Sequence, residues 1–435
     1  MRTIHKSILL ALALSAGSLA SAETWSLEQC VEYAVSNNFT VKSSLLNITD
    51  GELSVTEAKD RFLPSVSASA SEGVSFGRGL TASNTYANRN TSNLSWGASM
   101  NLPLFQGMSE YRQLKVAKSN LQKLLYEHEA VKDNITLNVI TQYLQVLYAK
   151  EVCMSARRQL EHTTYEVGRQ KALVEDGKVA EADLLDAEAQ MAQDKLQVVN
   201  SENDIQVALV ELANLLQLPT AAGFDILPLN EGEPIIPTSD AVFNAALLHN
   251  NSILASRQGI KVADQSISLA KSGYMPRVNF SAGVGSSYYT VSGYESDPFG
   301  EQMRHNLSTS LSVSLSIPIF DAFSTRNSVR KARLQKISAE LELDRQQSEL
   351  FKTIQLAYYQ ARGARDRYFA SQETLEKTSL SFEATKEKYN LGRATPYEFE
   401  QAKNNLYRTQ ISSIQAHYEY LLRYRILLFY QSNRL

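Results

Sequence analysis

Few residues of this chain are spaced to make or break covalent bonds. The six histidines, His5, His128, His162, His249, His305 and His417, are scattered along it. No His-Glu-x-x-His run, phosphate-binding P-loop or nucleophile elbow occurs. Gly283-Val284-Gly285 falls in a strand pattern and lacks a third glycine, so it is no dinucleotide fingerprint. His128 and His162 lie in helical runs and read as surface or seam residues. No catalytic residue, cofactor site or metal site is expected. What the spacing does single out is charge beside glycine. Gly177 and Gly392 lie half a chain apart, and an acid stands at the sixth position after each, Asp183 and Glu398. Lys178 and Arg393 follow the glycines directly. Such groups attract ions and tie neighbouring helices together.

The elements around them are long helices. Tyr389-Asn390-Leu391-Gly392 ends one helical pattern, and Thr395, Pro396 and Glu398 open another. Both glycines therefore read as tips of helical hairpins. The first hairpin runs from about Met108 to Pro219, with Leu114, Ala117, Leu121 and Leu124, then Leu137, Ile140, Leu144 and Leu147 at coiled-coil spacing. The second runs from about Asp321 to Tyr430, with Leu350, Ile354, Ala357, Ala361, Ala364 and Tyr368 as one seam. Ile411, Ile414, Tyr418, Leu421 and Leu428 form another.

Each hairpin is preceded by the same programme. A helix from Ser26 to about Arg61, with a break at Asn37-Asn38, stops at Pro64. The period then changes to two. Val66, Ala68 and Ala70 alternate with serines, and Leu94, Trp96, Ala98, Met100 and Leu102 alternate with small polar residues until Pro103 ends the strand. In the second half a helix runs from Ser239 to Gly273 and Pro276 precedes a strand with Val278, Phe280, Ala282 and Val284 on one face. A tyrosine- and glycine-containing loop leads to about His305. Leu307 to Ile317 then alternate with five serines until Pro318. Pro276 repeats Pro64, and Pro318 repeats Pro103 at the same offset that relates the tip glycines (318 less 103, and 392 less 177). These offsets mark a duplication: a first repeat at 23–220, a linker at 221–238 and a second repeat at 239–435.

Arg2 and Lys6, an apolar run from Ile8 to Leu14 and Ala20-Ser21-Ala22 read as a signal peptide over 1–22, too short in its apolar part for an anchor. The net charge is −3 and becomes more negative without Arg2 and Lys6, which excludes the electrostatic footprint of a nucleic-acid binder. Cys30 and Cys153 are the only cysteines and read as unpaired. No later segment is long and apolar enough for a membrane helix, so an exported chain that spans a membrane must do so with strands. The serine, asparagine and glycine faces suit a wet lumen better than a sandwich core. Four strands close no barrel, so membrane strands require oligomerisation. Dimer and trimer both remain open on these grounds, as do a coiled-coil bundle and the wall of a helical tube.

The duplicated plan, the paired joints Leu102-Pro103-Leu104-Phe105 and Ile317-Pro318-Ile319-Phe320, and the two acidic tips together resemble the TolC family of outer membrane efflux ducts, over essentially residues 23–435. The resemblance implies a mainly α, mixed α and β fold. Long coiled-coil hairpins would form a periplasmic α-barrel, and four transmembrane β-strands per chain would close a twelve-stranded barrel in a homotrimer. It implies an outer membrane of a Gram-negative bacterium, with the linker as an equatorial segment and Pro64, Pro103, Pro276 and Pro318 as barrel joints. It further implies tips that dock on a periplasmic adaptor protein and an inner-membrane pump, in a tripartite efflux or type I secretion system, with no catalysis. The rival is a non-transporting coiled-coil structural protein or adhesin of the envelope.

The family's periplasmic gate carries a tyrosine three before the second tip glycine, an arginine two after it, and acids six and nine after it. Tyr389 and Glu398 match, whereas Ala394 and Gln401 replace the arginine and the second acid. Asp183 matches an acidic gate partner at the first tip, and Ala182 replaces a hydroxyl residue there. Gly177, Lys178, Gly392 and Arg393 become adaptor-docking tips, with the two cations as alternative gate partners. The competing reading of these charges is balance of the helix dipole. Three Glu398 side chains about one axis would repel by about 3 kcal/mol per pair at ~6 Å and an effective dielectric of ~20. Such a ring would hold cations or raise its own pKa values.

Overall fold

A computed structural model describes residues 23–80, 84–229 and 235–432. The signal-peptide segment 1–22 and linker positions 230–234 lie outside the described residues. In chain order the elements are β1 (Glu23–Trp25), α1 (Leu27–Asn37), α2 (Phe39–Asp60), β2 (Ser65–Ser75), β3 (Arg78–Leu80), β4 (Tyr86–Asn88), β5 (Thr91–Gln106), α3 (Ser109–Glu175), α4 (Glu181–Leu216) and β6 (Phe224–Ile226). There follow α5 (Ser239–His249), α6 (Asn251–Ala270), β7 (Arg277–Val291), α7 (Phe299–His305), β8 (Ser308–Ser316), α8 (Ser324–Asn390) and α9 (Pro396–Ser432). None of the described helices is long and apolar enough to cross a membrane.

The expected break at Asn38 separates α1 from α2, where the backbone turns extended at ψ 134°. Asn250, its counterpart in the second repeat, breaks the helix there in the same way at ψ 120°, a division absent from the sequence expectation. Each asparagine side chain accepts from a backbone N–H just beyond the break, Asn38 from Thr40 at 2.9 Å and Asn250 from Ile253 at 3.2 Å. The duplication thus extends to helix caps.

The chain forms two compact units. One comprises Asn47–Leu125 and Ala255–Asp344. It contains an antiparallel sheet of order β2-β5-β7-β8, so β2 and β8 are its edges. Ser67 pairs with Ser99, Ser71 with Ser95 and Ser281 with Ser312 through hydroxyl hydrogen bonds of 3.1, 3.0 and 2.7 Å. The opposite face carries Val66, Trp96, Leu311 and Val313, all exposed. Pro103 does not end its strand. β5 continues to Gln106 because the register shifts between Pro103 and Phe105, a bulge that absorbs the missing proline N–H. Past the bulge Gln106 joins the polar face, where its amide donates to Asn279 at 2.5 Å. β7 is also longer than expected, and the loop after it holds α7. Gly107 and Met108 both have left-handed φ, of 61° and 65°, and so do Ala322 and Phe323, at 51° and 63°. The strand-to-helix joint of each repeat therefore reverses through a pair of left-handed residues.

The other unit comprises the described residues within 23–46, 126–254 and 345–432. Leu27, Cys30, Val139, Ile140, Tyr143, Leu144, Leu212 and Leu216 form its core. The short β1 pairs in parallel with β6, so the linker contains a strand that the sequence did not announce. Tyr143 secures it: its hydroxyl donates to the Leu227 carbonyl at 2.6 Å. Burial pushes the Cys30 thiol up to about 12, and both cysteines are free. Of the expected seam in α8, Leu350, Ile354, Ala357, Ala361 and Ala364 are buried and Tyr368 is half-buried. In α9 the seam differs in part: the buried apolar positions are Phe399, Ala416, Tyr420, Leu421, Leu427 and Phe429, whereas Ile411, Ile414, Tyr418 and Leu428 are only half-buried.

Candidate functional site

The two tips close alike. In the first, Lys178 N–H donates to the Leu173 carbonyl and Gly177 N–H to Val174, both at 2.9 Å. In the second, Arg393 N–H donates to Lys388 at 2.7 Å and Gly392 N–H to Tyr389 at 3.0 Å. This crossed pair ends a helix with a left-handed residue. Gly177 and Gly392 have φ of 70° and 69°, which explains the glycine at both sites. The restarts differ. α9 opens on a capping box in which the Thr395 N–H donates to Glu398 at 2.8 Å and the Glu398 N–H donates to the Thr395 hydroxyl at 3.2 Å. α4 opens at Ala180 with no side-chain cap.

Glu398 therefore has a local task. The hydrogen bond from the Thr395 backbone, then that from its hydroxyl, holds the Glu398 carboxyl below the ordinary glutamate range. Repulsion in a ring of copies would act against that. Glu398 and Gln401 line an open cleft with Lys388, Arg393 and Arg408. Asp183 is half-buried in the first turn of α4, and Lys178 pairs with Asp176 at 2.8 Å.

Tyr389 points elsewhere. Its hydroxyl accepts from the Gln170 amide at 2.6 Å and lies 3.3 Å from a Glu166 oxygen. Arg169 pairs with Glu166 at 2.6 Å and lies over the Tyr389 ring at 4.6 Å from its centroid. On its other side the ring stacks on Phe399 at 4.6 Å. Burial raises the phenol pKa, and the Arg169 charge opposes that rise. Thus α3 of the first hairpin is tied to α8 and α9 of the second.

A further contact between the same hairpins, Lys403 with Thr163, is backed by bonds within each of them. Asp194 on α4 accepts from Thr163 at 2.6 Å, from Gln159 at 3.3 Å and from Gln190 at 2.8 Å. Lys403 on α9 donates to the Thr163 hydroxyl at 3.4 Å and pairs with Glu400 at 2.6 Å. Asp194 and Lys403 are only 8% and 5% exposed, so their charges need these partners. Sequence reasoning missed Gln159, Thr163, Glu166, Arg169, Gln170, Asp194 and Lys403. A signal was available in α3, whose buried positions pass from Cys153 and Ala156 to Gln159, Thr163 and Gln170. The helical period persists while the residue type turns polar.

No pair of groups here forms a nucleophile and base. The arrangement can hold two hairpins together through polar bonds that water can replace. The model of a family described as outer membrane efflux protein matches residues 31–217 and 242–428. The chain is similar to the outer membrane efflux protein BepC of Brucella suis biovar 1 (strain 1330), 21% identical over 425 residues, which cover 98% of this chain and 89% of that protein. It is similar to the outer membrane protein TolC of Escherichia coli (strain K12), 23% identical over 433 residues, covering 95% and 83%. Its fold matches the crystal structure of the Campylobacter jejuni CmeC outer membrane channel at a TM-score of 0.75 and 17% identity, over 93% of this chain and 85% of that one.

Proposed function

Because this chain belongs to the outer membrane efflux protein family, we propose that it is the outer membrane exit duct of an efflux or secretion system, passing small molecules or proteins outward. The observation that carries this reading is the four-stranded sheet whose edges β2 and β8 have no further strand beside them among the described residues, with one hydroxyl-rich face and one exposed apolar face. In lipid, each unpaired edge group costs several kcal/mol, so the sheet must close with other copies. Three copies, as the family resemblance implies, give twelve strands around a polar lumen. The rival of an envelope adhesin offers no reason for a lipid-suited face on one side and a wet face on the other.

The hairpin tips then face a periplasmic adaptor and an inner-membrane pump. Gly177, Lys178, Gly392 and Arg393 are the docking positions. The closed state is held by Tyr389 with Gln170 and Glu166, and by Lys403 with Thr163 and Asp194. Adaptor docking releases these bonds. Glu398, Gln401 and Asp183 sit at the narrow end, with Glu398 both capping α9 and supplying negative charge to the entrance. Reconstitution into liposomes loaded with a self-quenching dye tests the duct. The expected result is dye release from vesicles containing heat-modifiable trimers. Trimers that leave the vesicles sealed when the latch variants below are introduced would contradict it.

A further inference from the structure

β7 outruns its neighbour. Its pairing with β8 stops at Gly285 and Ser308, whereas β7 continues to Val291. The strand edge beyond Gly285 is covered by side chains of α7 and its end. The Gln302 amide accepts from Tyr289 N–H at 2.9 Å and donates to the Tyr289 carbonyl at 3.1 Å, as a paired strand would. Its nitrogen also donates to the Asp297 carbonyl at 2.9 Å. Asn306 donates to the Ser287 carbonyl at 2.7 Å. Gln302 is buried although the helix is less than two turns long.

Two contacts fix the face on which α7 lies. Phe299 meets Tyr288 edge-on at 5.2 Å, and Ser286 donates to the Met303 carbonyl at 2.8 Å. Ser286 and Tyr288 share strand parity with Val278, Phe280, Ala282 and Val284, so α7 lies on the apolar face. The register gives the level. Trp96 stands opposite Ser286, and Leu94 stands opposite both Tyr288 and Glu72. Below this level the face is apolar across β5, β7 and β8. At it come an indole, a phenol, a carboxylate and the short helix, with Phe299 52% exposed. From Val278 to Tyr288 the strand advances about 33 Å, and a tilt of ~40° reduces that to about 25 Å, the height of a barrel's apolar band.

The geometry points to α7 as a lipid-surface element. It sits at the outer boundary of the hydrocarbon, with Phe299 among the acyl–headgroup junctions and Gln302 as the residue that seats it. This rests on the reading above that the apolar face meets lipid. The chain has two tryptophans, Trp25 and Trp96, which allows a clean optical test. The full-length protein is reconstituted in phosphatidylcholine vesicles brominated either near the glycerol or near the methyl end of the acyl chain. Trp25→Phe leaves Trp96 as the reference. Trp25→Phe, Trp96→Phe and Phe299→Trp together place the sole indole on α7. The expected result is lipid quenching of both reporters, with the α7 indole losing at least about twice as much emission to the shallow label as to the deep one. Adding Gln302→Leu shifts that indole toward quenching by aqueous acrylamide. An α7 indole quenched by acrylamide and by neither lipid, while Trp96 is lipid-quenched, overturns the proposal alone. Lipid quenching unaltered by Gln302→Leu overturns the seating role. If Trp96 itself escapes both lipids, the lipid-facing reading of the sheet fails.

Discussion

Tyr389 and Gln170 belong to different hairpins, yet the Gln170 amide donates to the Tyr389 hydroxyl at 2.6 Å. Gln170 is 4% exposed, so the bond lies away from bulk water. The donor sits on the first hairpin and the acceptor on the second. Tyr389→Phe removes the hydroxyl while keeping the stack on Phe399, and strands a buried amide donor. The expected cost is about 1–3 kcal/mol in the hairpin contact. It reads out as a higher single-channel conductance with trimer yield unchanged. Gln170→Leu should reproduce the gain, and the double variant should show less than the sum of the two.

Thr163 is the hinge of the second polar contact because one hydroxyl meets both Asp194 and Lys403. Thr163→Val keeps the shape and deletes the bridge. Lost partners for two buried charges should lower thermal stability by about 1–3 kcal/mol, measured by calorimetry. Thr163→Ser, which retains the hydroxyl, should recover most of it. Equal losses in both variants would mean that packing rather than the bridge matters.

Glu398 combines a cap and a charge, and two substitutions separate them. Glu398→Gln keeps a capping-box residue and removes the charge. Glu398→Ala removes both and should fray the first turn of α9 more than Glu398→Gln does. If the charge acts at the entrance, both variants weaken block by multivalent cations in planar bilayers to the same degree. Unchanged block in both would remove Glu398 from the constriction.

The cap also sets a pH dependence. The folded carboxyl of Glu398 has a lowered pKa. Its contribution is thus present above the ordinary glutamate range and is lost as pH falls through the folded value. Acidification into that window should fray the start of α9 in wild type and leave Glu398→Gln unaffected, as read by amide hydrogen exchange at Tyr397 to Glu400.

Two glycines with nearly the same backbone predict unequal costs. At Gly177, φ is 70° and nothing lies within 4 Å of an added Cβ. Gly177→Ala should cost only the left-handed strain, about 1–2 kcal/mol. At Gly107, φ is 61° and an added Cβ would stand 2.6 Å from the Met275 Cβ and 2.9 Å from the Ser272 carbonyl. Gly107→Ala should therefore lower trimer yield well below that of Gly177→Ala, as seen on unheated gels.

Where local chemistry decided the structure, it was legible in the sequence. Gly392, Thr395, Pro396 and Glu398 carry their own backbone logic, and they form the tip and cap that their types dictate. Alternation in Ser308–Ser316 marked a strand with two unlike faces. Pro103 misled because proline as a terminator assumes a regular ladder, whereas the bulge removed the need for its N–H. α7 escaped because so short a helix carries too little periodicity, and its seat depends on the Gln302 side chain replacing a strand. At the site, the family resemblance singled out Tyr389 by its place three before the tip glycine. Its partners Gln170 and Glu166 were not, because their role depends on which helices of the two hairpins meet. Lys403 and Asp194 look like solvated charges on α9 and α4 until packing covers them.

A duct held shut between its hairpins should reveal itself in single-channel recording of the purified trimer in planar bilayers, more directly than in any other measurement. Wild type is expected to give discrete, long-lived pores of low conductance, with a stepwise increase in conductance for Tyr389→Phe and for Thr163→Val. Folded trimers that insert yet give no discrete pores, or pores whose conductance neither variant alters, would contradict it.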